Sequence, residues 1–223
     1  MKKELLKSIQ SHKVKKTTID LLNSIDRSFF FDDAYIKDIH TTEPIPIGMG
    51  QRSDDLIAFC KMIELLAPKK SWRILEIGTG SGYSTALLSQ KVKEVVTIEY
   101  YEELAEEAKK RIEQLNHKNV RFFAGDASDI AFNFSNKDAF DAIIVFAACR
   151  TSPLPFLDVL TPSGKAIFPL GPAHQQQLCL YINSESISEK NYSFHDFCVF
   201  DPIRGPFGCI DQVEGYFVDE AEV

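Results

Sequence analysis

A glycine-rich segment carries the clearest chemical signal in the sequence. It reads Glu76-Ile-Gly-Thr-Gly-Ser-Gly-Tyr83, after a short apolar run and before a segment with helical spacing. Glycines at a strand-to-helix turn allow a tight backbone and let a ligand approach that backbone closely. This order of strand, loop and helix is typical of a site for a nucleoside-containing ligand.

A carboxylate stands where such a site requires one. Glu99 ends the next predicted strand, 21 residues beyond Gly78. A carboxylate at this strand end can accept hydrogen bonds from both hydroxyls of a ribose. The dinucleotide pattern G-x-G-x-x-G would need glycine where the sequence has Tyr83. The segment therefore favours a nucleoside ligand over NAD.

The elements that must position these residues alternate between strand and helix. Strands are predicted at 72–78, 94–99, 119–126, 140–148 and 164–171, and helices at 82–92, 102–115 and 153–160. This order predicts an α/β fold with a doubly wound, mostly parallel sheet. Two further strands, 178–183 and 194–200, have no helix between them and predict an antiparallel hairpin at the sheet edge.

The region before the sheet has a different pattern. Residues 1–40 are predicted to be mostly helical, 41–51 to form a loop, and 54–66 to form a helix with Ser53 as its N-cap. We expect one compact unit with two parts. Residues 1–66 would form a helical cap and substrate loop, and residues 67–223 the ligand-binding core.

Composition excludes several classes of protein. Hydrophobic residues make up 44% and charged residues 26%, as in globular enzymes rather than disordered or fibrous chains. The net charge of −7 disfavours non-specific binding to nucleic acid or to an anionic membrane. The longest apolar run, Ala142–Cys149, is far short of the roughly 20 residues of a membrane span. The basic N-terminus has no apolar segment behind it, so no secretory signal is expected.

The cysteines and histidines indicate neither disulfides nor a metal. The five cysteines are odd in number and form no C-x-x-C pair, which predicts free thiols and a cytoplasmic location. None of the five histidines stands at a ligand spacing from a cysteine or another histidine, so we expect no metal site.

Taken together, these segments resemble the protein-L-isoaspartate O-methyltransferase family. The run RILEIGTGSGYSTALLS, 73–89, is similar to the binding motif for S-adenosylmethionine, which alone indicates only a methyltransferase. The upstream segment EPIPIGMGQ, 43–51, resembles the family's PLPIGxGQ loop and indicates this family in particular. Further similarity at 27–38, 140–171 and 199–208 extends the resemblance over residues 17 to 210, approximately.

The resemblance implies a fold, a cofactor and a reaction. The fold would be the Rossmann-like methyltransferase sheet. The enzyme would use S-adenosyl-L-methionine to methyl-esterify isoaspartyl carboxylates in damaged proteins, as a monomer acting on a peptide or protein. It implies a set of cofactor-binding residues, with the aspartate facing the adenine amino group: Glu76, Gly78, Thr79, Gly80, Gly82, Glu99, Asp126 and Ala127. Two alternatives stay open: a methyltransferase for another small-molecule or protein group, and a cofactor-binding protein without turnover.

One departure from the family concerns its active-site serine. The family follows GQ with T-I-S-x-P, but Gln51 is followed here by Arg52-Ser-Asp-Asp-Leu56. Aligned without a gap, Asp54 takes the position of the serine, and Ser53 lies one residue early. An ionised aspartate would repel a substrate carboxylate by about 1 kcal/mol at 4 Å even in water, so weak or absent isoaspartyl methylation is expected.

Three interpretations of this departure are open, with Ser53 and Asp54 as candidate catalytic residues. The backbone could shift to present Ser53 to the substrate. Asp54 could act as a base towards a hydroxyl or amine acceptor. Alternatively, Asp54 and Asp55 could only complement the positive end of the following helix.

Overall fold

The computed structural model describes residues 3–129, 134, 140–172, 175–184, 188 and 191–205. The chain begins with helices α1, Lys3–Ser11, and α2, Lys16–Asn23. Three 3₁₀ turns follow, at Arg27–Phe30, Asp33–Tyr35 and Asp38–His40. Among the described residues, the prediction of a mostly helical start is therefore right for 3–23 and too regular for 24–40.

The predicted loop before the third helix contains a small hairpin. Strands β1, Pro46–Gly48, and β2, Gln51–Arg52, pair antiparallel. Helix α3, Leu56–Leu66, follows.

The predicted N-cap of α3 was wrong. The cap is Asp55, whose Oδ1 accepts hydrogen bonds from the backbone N–H groups of Ile57, at 2.9 Å, and Ala58, at 2.8 Å. Ser53 instead accepts a hydrogen bond from the Ile45 N–H at 3.0 Å. Ser53, Asp54 and Asp55 are all good N-cap residues, so side-chain type alone could not choose between them.

The sheet has seven strands in the order β5-β4-β3-β6-β7-β8-β9. The strands are β3 Arg73–Ile77, β4 Glu94–Glu99, β5 Val120–Ala124, β6 Phe140–Val145, β7 Leu160–Leu170, β8 Gln176–Ile182 and β9 Tyr192–Cys198. The first five run parallel, and β8 and β9 add an antiparallel edge. The predicted fold class and edge hairpin are confirmed.

The connecting helices are α4, Tyr83–Lys91, α5, Glu102–Gln114, and α6, Leu154–Leu157. The last is shorter than the predicted 153–160, because β7 already begins at Leu160, which pairs with Phe140 of β6. In the described part of the chain, no helix has both the length and the apolar character needed to cross a bilayer.

Apolar side chains bury both faces of the sheet. On β3, Ile74 belongs to one cluster, while Leu75 and Ile77 belong to the cluster on the opposite face. The first cluster also contains Leu5 of α1 and Phe59 of α3. The N-terminal helices thus share a core with one face of the sheet, which fixes their position against it.

Candidate functional site

A cleft of about 290 Å³ opens at the carboxyl ends of β3 and β4. The chain passes from β3 to β4 and β5 on one side, and then returns to β6 on the other side of β3. The strand order therefore reverses at β3, and such a topological switch point is where α/β sheets bind ligands. We distinguish two walls by their lining residues. The strand-end wall comprises Gly78–Ser81, Glu99 and Ala127; the cap wall comprises Arg27, Phe31, Ile47 and Ser53–Leu56.

The three glycines of the loop have two different roles, lining the cleft and packing against a helix. Gly78, Gly80 and Gly82 all have positive φ angles, at 91°, 53° and 87°, where glycine is favoured. Gly78 and Gly80 line the cleft. Gly82 does not, and a Cβ there would lie 3.1 Å from Cβ of Ala108 in α5. The first two glycines therefore leave room in the cleft, and Gly82 allows close helix packing.

Glu99 is held in place by the backbone around it. It is buried, lines the cleft, and accepts hydrogen bonds from the N–H groups of Gly80, at 2.8 Å, and Tyr101, at 3.1 Å. Burial raises the pKa of this carboxyl, and the backbone N–H groups oppose that rise. The arrangement presents an oriented acceptor at the end of β4, as the sequence predicts for a ribose-binding acid.

Glu76 lies behind the strand-end wall rather than on it. It is fully buried and is not among the residues that line the cleft. Its Oε2 accepts a hydrogen bond from the Thr85 hydroxyl at 2.6 Å, while Oε1 has no hydrogen-bond partner in the described structure. Burial raises the pKa of Glu76 to about 7. In this structure Glu76 braces the start of α4.

The end of β5 contributes Ala127 to the cleft but not Asp126. Oδ1 of Asp126 accepts hydrogen bonds from the backbone N–H, at 2.8 Å, and the hydroxyl of Ser128. Gly205 lies directly against this carboxylate, and any side chain at position 205 would overlap it. The structure therefore covers the acid that the sequence predicts for adenine.

Ser53 and Asp54 both line the cleft. The Ser53 hydroxyl is engaged by the Ile45 N–H, so it already serves the base of the hairpin. Asp54 as a whole residue is half-buried. Burial of its carboxyl raises its pKa well above the ordinary value, and the charge of Glu76 adds to that rise. Asp55 makes the cap bonds to α3, so the helix-end interpretation accounts for Asp55 and leaves Asp54 at the cleft.

Arg27 lines the cleft and was missed from the sequence. It is 8% exposed, and its Nη1 donates to the backbone oxygens of Ile39, at 3.1 Å, and Thr41, at 2.7 Å. The only local signal is an arginine close to apolar residues in the segment 25–31. Nothing in that pattern shows that the turn at 27–30 points this side chain into the cleft.

The loop after β9 forms the third side. Residues 199–204 line the cleft, and residues 206–208 of the segment that resembles the family lie outside the described residues.

The cleft is suited to binding and positioning. Its described lining includes neither histidine nor cysteine, so it offers no nucleophile–base pair of the Ser-His or Cys-His type. It does offer an oriented carboxylate, an open glycine backbone and apolar walls, in which Phe59 stacks on Phe146 at 5.9 Å between ring centroids. This set can hold a nucleoside and exclude water from a transfer reaction.

Comparison with known proteins gives a consistent result. The family model for protein-L-isoaspartate(D-aspartate) O-methyltransferase matches residues 1–200. A protein-L-isoaspartate O-methyltransferase of Pyrococcus horikoshii is 37% identical over 212 residues, with 92% of each chain covered. The Dictyoglomus turgidum enzyme of the same name is 36% identical over 214 residues, with 93% of this chain and 91% of the relative covered.

Solved structures show the same fold. A protein-L-isoaspartate O-methyltransferase structure superposes with a TM-score of 0.76 at 21% identity, covering 93% of this chain and 67% of the other. A Plasmodium falciparum protein assigned to the same activity was solved in complex with S-adenosyl-L-homocysteine. It superposes with a TM-score of 0.74 at 18% identity, covering 90% of this chain and 96% of the other.

Proposed function

Because the chain belongs to the protein-L-isoaspartate O-methyltransferase family, we propose that it transfers a methyl group from S-adenosylmethionine to isoaspartyl carboxylates in proteins. The family match extends over residues 1–200 and therefore includes both the cap and the sheet. The observation that carries the proposal is the backbone-held Glu99 beside the open glycine loop, at the switch point of the sheet. The enzyme is a methyltransferase.

The strand-end wall fits this cofactor. Glu99 is placed to accept the ribose hydroxyls, and Gly78, Thr79 and Gly80 present backbone with no Cβ at the two glycines. Ala127 lines the same cleft and is proposed to contact adenine. The predicted contact of Asp126 with the adenine amino group requires Gly205 to move from its carboxylate. Glu76 and Gly82 would support the loop from behind.

The chemistry demands little of the protein beyond positioning. The cofactor supplies an activated methyl group on a sulfonium. A carboxylate acceptor is already ionised at pH 7, so no base is needed. The chain's residues hold the acceptor in line with that group and exclude water, chiefly through the apolar side chains of Ile47, Leu56 and Ile203 around the cleft.

Asp54 is proposed to face the acceptor in place of the family's serine. When protonated, its carboxyl can donate a hydrogen bond to the acceptor carboxylate, as a hydroxyl would. When ionised, it repels that acceptor. The surroundings that raise its pKa, burial and then the charge of Glu76, favour the protonated form.

A second candidate acceptor follows from the same residue. An ionised Asp54 beside the cleft could take a proton from an amine or hydroxyl, which a carboxylate acceptor does not require. This candidate keeps the cofactor site and changes only the substrate.

We further propose that residues 1–66 act as cap and substrate loop over a core of 67–223. The protein is proposed to work as a cytoplasmic monomer on peptides or proteins, without binding nucleic acid or membrane. The net charge of −7 supports the exclusion of polyanionic partners.

Two measurements test the proposed function. Calorimetry should show binding of S-adenosylmethionine with a dissociation constant on the order of micromolar, and no binding of NAD. A radiolabelled methyl-transfer assay should label an isoaspartyl peptide and leave its normal aspartyl twin unlabelled. NAD binding without S-adenosylmethionine binding would overturn the cofactor assignment. Cofactor binding without labelling of the isoaspartyl peptide would move the assignment to the second candidate acceptor.

A further inference from the structure

Arg27 is a buried cation with an unused donor. Its two hydrogen bonds to carbonyl oxygens both come from Nη1, and its Nε is buried without a hydrogen-bond partner in the described structure. None of the ion pairs among the described residues includes it. Asp55, whose charge acts on Arg27, uses Oδ1 to cap α3. Because one N–H of this buried guanidinium stays unpaired, its desolvation is only partly compensated.

Arg73 shows what a satisfied arginine looks like in the same chain. Its Nε donates to the Glu94 carboxylate at 2.5 Å, and its guanidinium stacks on the Phe140 ring at 4.6 Å. Arg27 has the aromatic contacts without the carboxylate. It lies 5.3 Å from the Phe31 centroid and 6.0 Å from that of Tyr83.

The aromatic contacts and Nη1 bonds fix the guanidinium beside the cleft, and its Nε is enclosed without a partner, so a ligand reaches this edge only when the surrounding side chains give way. An arginine edge formed by Nε and the adjacent Nη2 matches the two oxygens of a carboxylate. The other charged residues that line the cleft differ from Arg27 in sign or in burial. The acidic residues in the described lining of the cleft are Asp54, Asp55, Glu99 and Asp201. The two other arginines in this lining, Arg52 and Arg204, are exposed. Acidic side chains that are ionised would repel a ligand carboxylate, whereas Arg27 carries a complementary charge and a buried, unpaired donor.

We propose that Arg27 is the carboxylate-binding residue of the cleft. This inference rests on the proposed function, which brings two carboxylates to the site: that of the methionine portion of the cofactor and that of the isoaspartyl acceptor. Either would complete the edge that the folded chain leaves without a partner.

The test compares the cofactor with a nucleoside that lacks its amino-acid chain. We would measure dissociation constants for S-adenosylmethionine and for 5′-methylthioadenosine, which keeps the adenosine but lacks the carboxylate, the ammonium group and the sulfonium charge, together with KM for an isoaspartyl peptide. If the cofactor carboxylate binds Arg27, R27Q should weaken S-adenosylmethionine about tenfold or more and leave 5′-methylthioadenosine nearly unchanged. If the acceptor carboxylate binds there, both nucleosides should bind normally and KM should rise about tenfold or more, with a smaller change in kcat.

Two further variants separate binding from support of the fold. R27K keeps the charge but loses the planar fork, and it should show the same selectivity with a smaller effect. R73Q removes an aromatic-stacked arginine at the amino end of β3, away from the cleft, and should change none of these constants. If R27Q does not fold, as judged by circular dichroism, R27K decides the matter alone.

The contrary results are distinct from failure of the proposed function. Equal weakening of both nucleosides, or no change in any constant, would show that Arg27 only ties the segment around Ile39 and Thr41 in place. If the wild type binds S-adenosylmethionine but methylates no isoaspartyl peptide, the acceptor fails, while the comparison of the two nucleosides still decides the role of Arg27. In that case an unchanged preference for S-adenosylmethionine over 5′-methylthioadenosine rejects the inference.

Discussion

The two walls of the cleft differ in how completely the folded chain provides partners for their polar and charged side chains. On the strand-end wall, Glu99 accepts two backbone hydrogen bonds and Thr79 shares one with Thr97 at 2.6 Å. On the cap wall, Arg27 has a buried Nε without a partner, and Asp54 lies where burial and like charge raise its pKa. The polar side chains of the strand-end wall find their hydrogen-bond partners within the protein. The cap wall carries charged groups that a ligand can complement.

This difference follows from what builds each wall. Parallel pairing fixes the strand ends, with Glu76 opposite Thr97 and Glu99 opposite Ala124. The cap wall depends on 3₁₀ turns and a short hairpin, whose backbones offer fewer internal partners. We therefore expect substitutions at the strand ends to act on the fold and on binding of the nucleoside, and substitutions in the cap to act on the carboxylate groups of the ligands.

The largest effect is expected for Glu76, the acid behind the strand-end wall. Its pKa is about 7 in the folded protein against an ordinary 4.5. The folded state thus holds the proton more tightly than the unfolded state, so wild-type stability should fall as pH rises from 4.5 to 7. The loss corresponds to about 3 kcal/mol.

In Glu76→Gln this pH dependence should be absent. The quantity to measure is the difference in unfolding free energy between variant and wild type, from urea titrations of the cofactor-free protein across this pH range. Glu102→Gln, an exposed site at the start of α5, is the matched control. A difference that stays constant from pH 4.5 to above 7 would show that Glu76 titrates normally.

Glu99 should have the next largest effect, on cofactor affinity. Glu99→Ala removes a charged acceptor and is expected to weaken S-adenosylmethionine by about 1–3 kcal/mol. It also leaves the N–H groups of Gly80 and Tyr101 without their acceptor, so unfolding should be followed alongside calorimetry. Glu102→Ala removes the same charge three residues away and should leave affinity unchanged. Native circular dichroism with an unchanged dissociation constant would remove Glu99 from the site.

The strand-end wall could be predicted from sequence because its determinants are local. A strand, a glycine turn and an acid at the next strand end follow one another within Glu76–Glu99, and parallel pairing brings them together. The alternation of strands and helices likewise predicted the sheet and its edge hairpin. Helix limits were less predictable, as at α6, because pairing of β7 with β6 decides where that helix ends.

The cap wall could not be predicted to the same extent because its geometry comes from contacts distant in sequence. The orientation of Arg27 depends on carbonyl oxygens 12 and 14 residues away. The covering of Asp126 depends on Gly205, far along the chain. For the aspartates before α3, the sequence predicted the helix start correctly to within two residues and misplaced its cap.

Asp54 offers the smallest and most discriminating test of the cap wall. With its pKa raised, wild-type kcat/KM for an isoaspartyl peptide should fall as pH rises and Asp54 ionises, because the ionised carboxylate repels the acceptor. Asp54→Ser should remove that fall and exceed the wild type in kcat/KM at high pH by about fivefold, the equivalent of about 1 kcal/mol.

Ser53→Ala is the matched control for Asp54→Ser, since the Ser53 hydroxyl accepts a hydrogen bond from Ile45 at the base of the hairpin. If Ser53→Ala loses activity while Asp54→Ser and the wild type share one pH profile, Ser53 faces the acceptor instead. If neither the wild type nor any variant methylates the peptide while the cofactor still binds, the departure at Asp54 marks a different acceptor. The assignment of the strand-end wall to the cofactor is then unaffected.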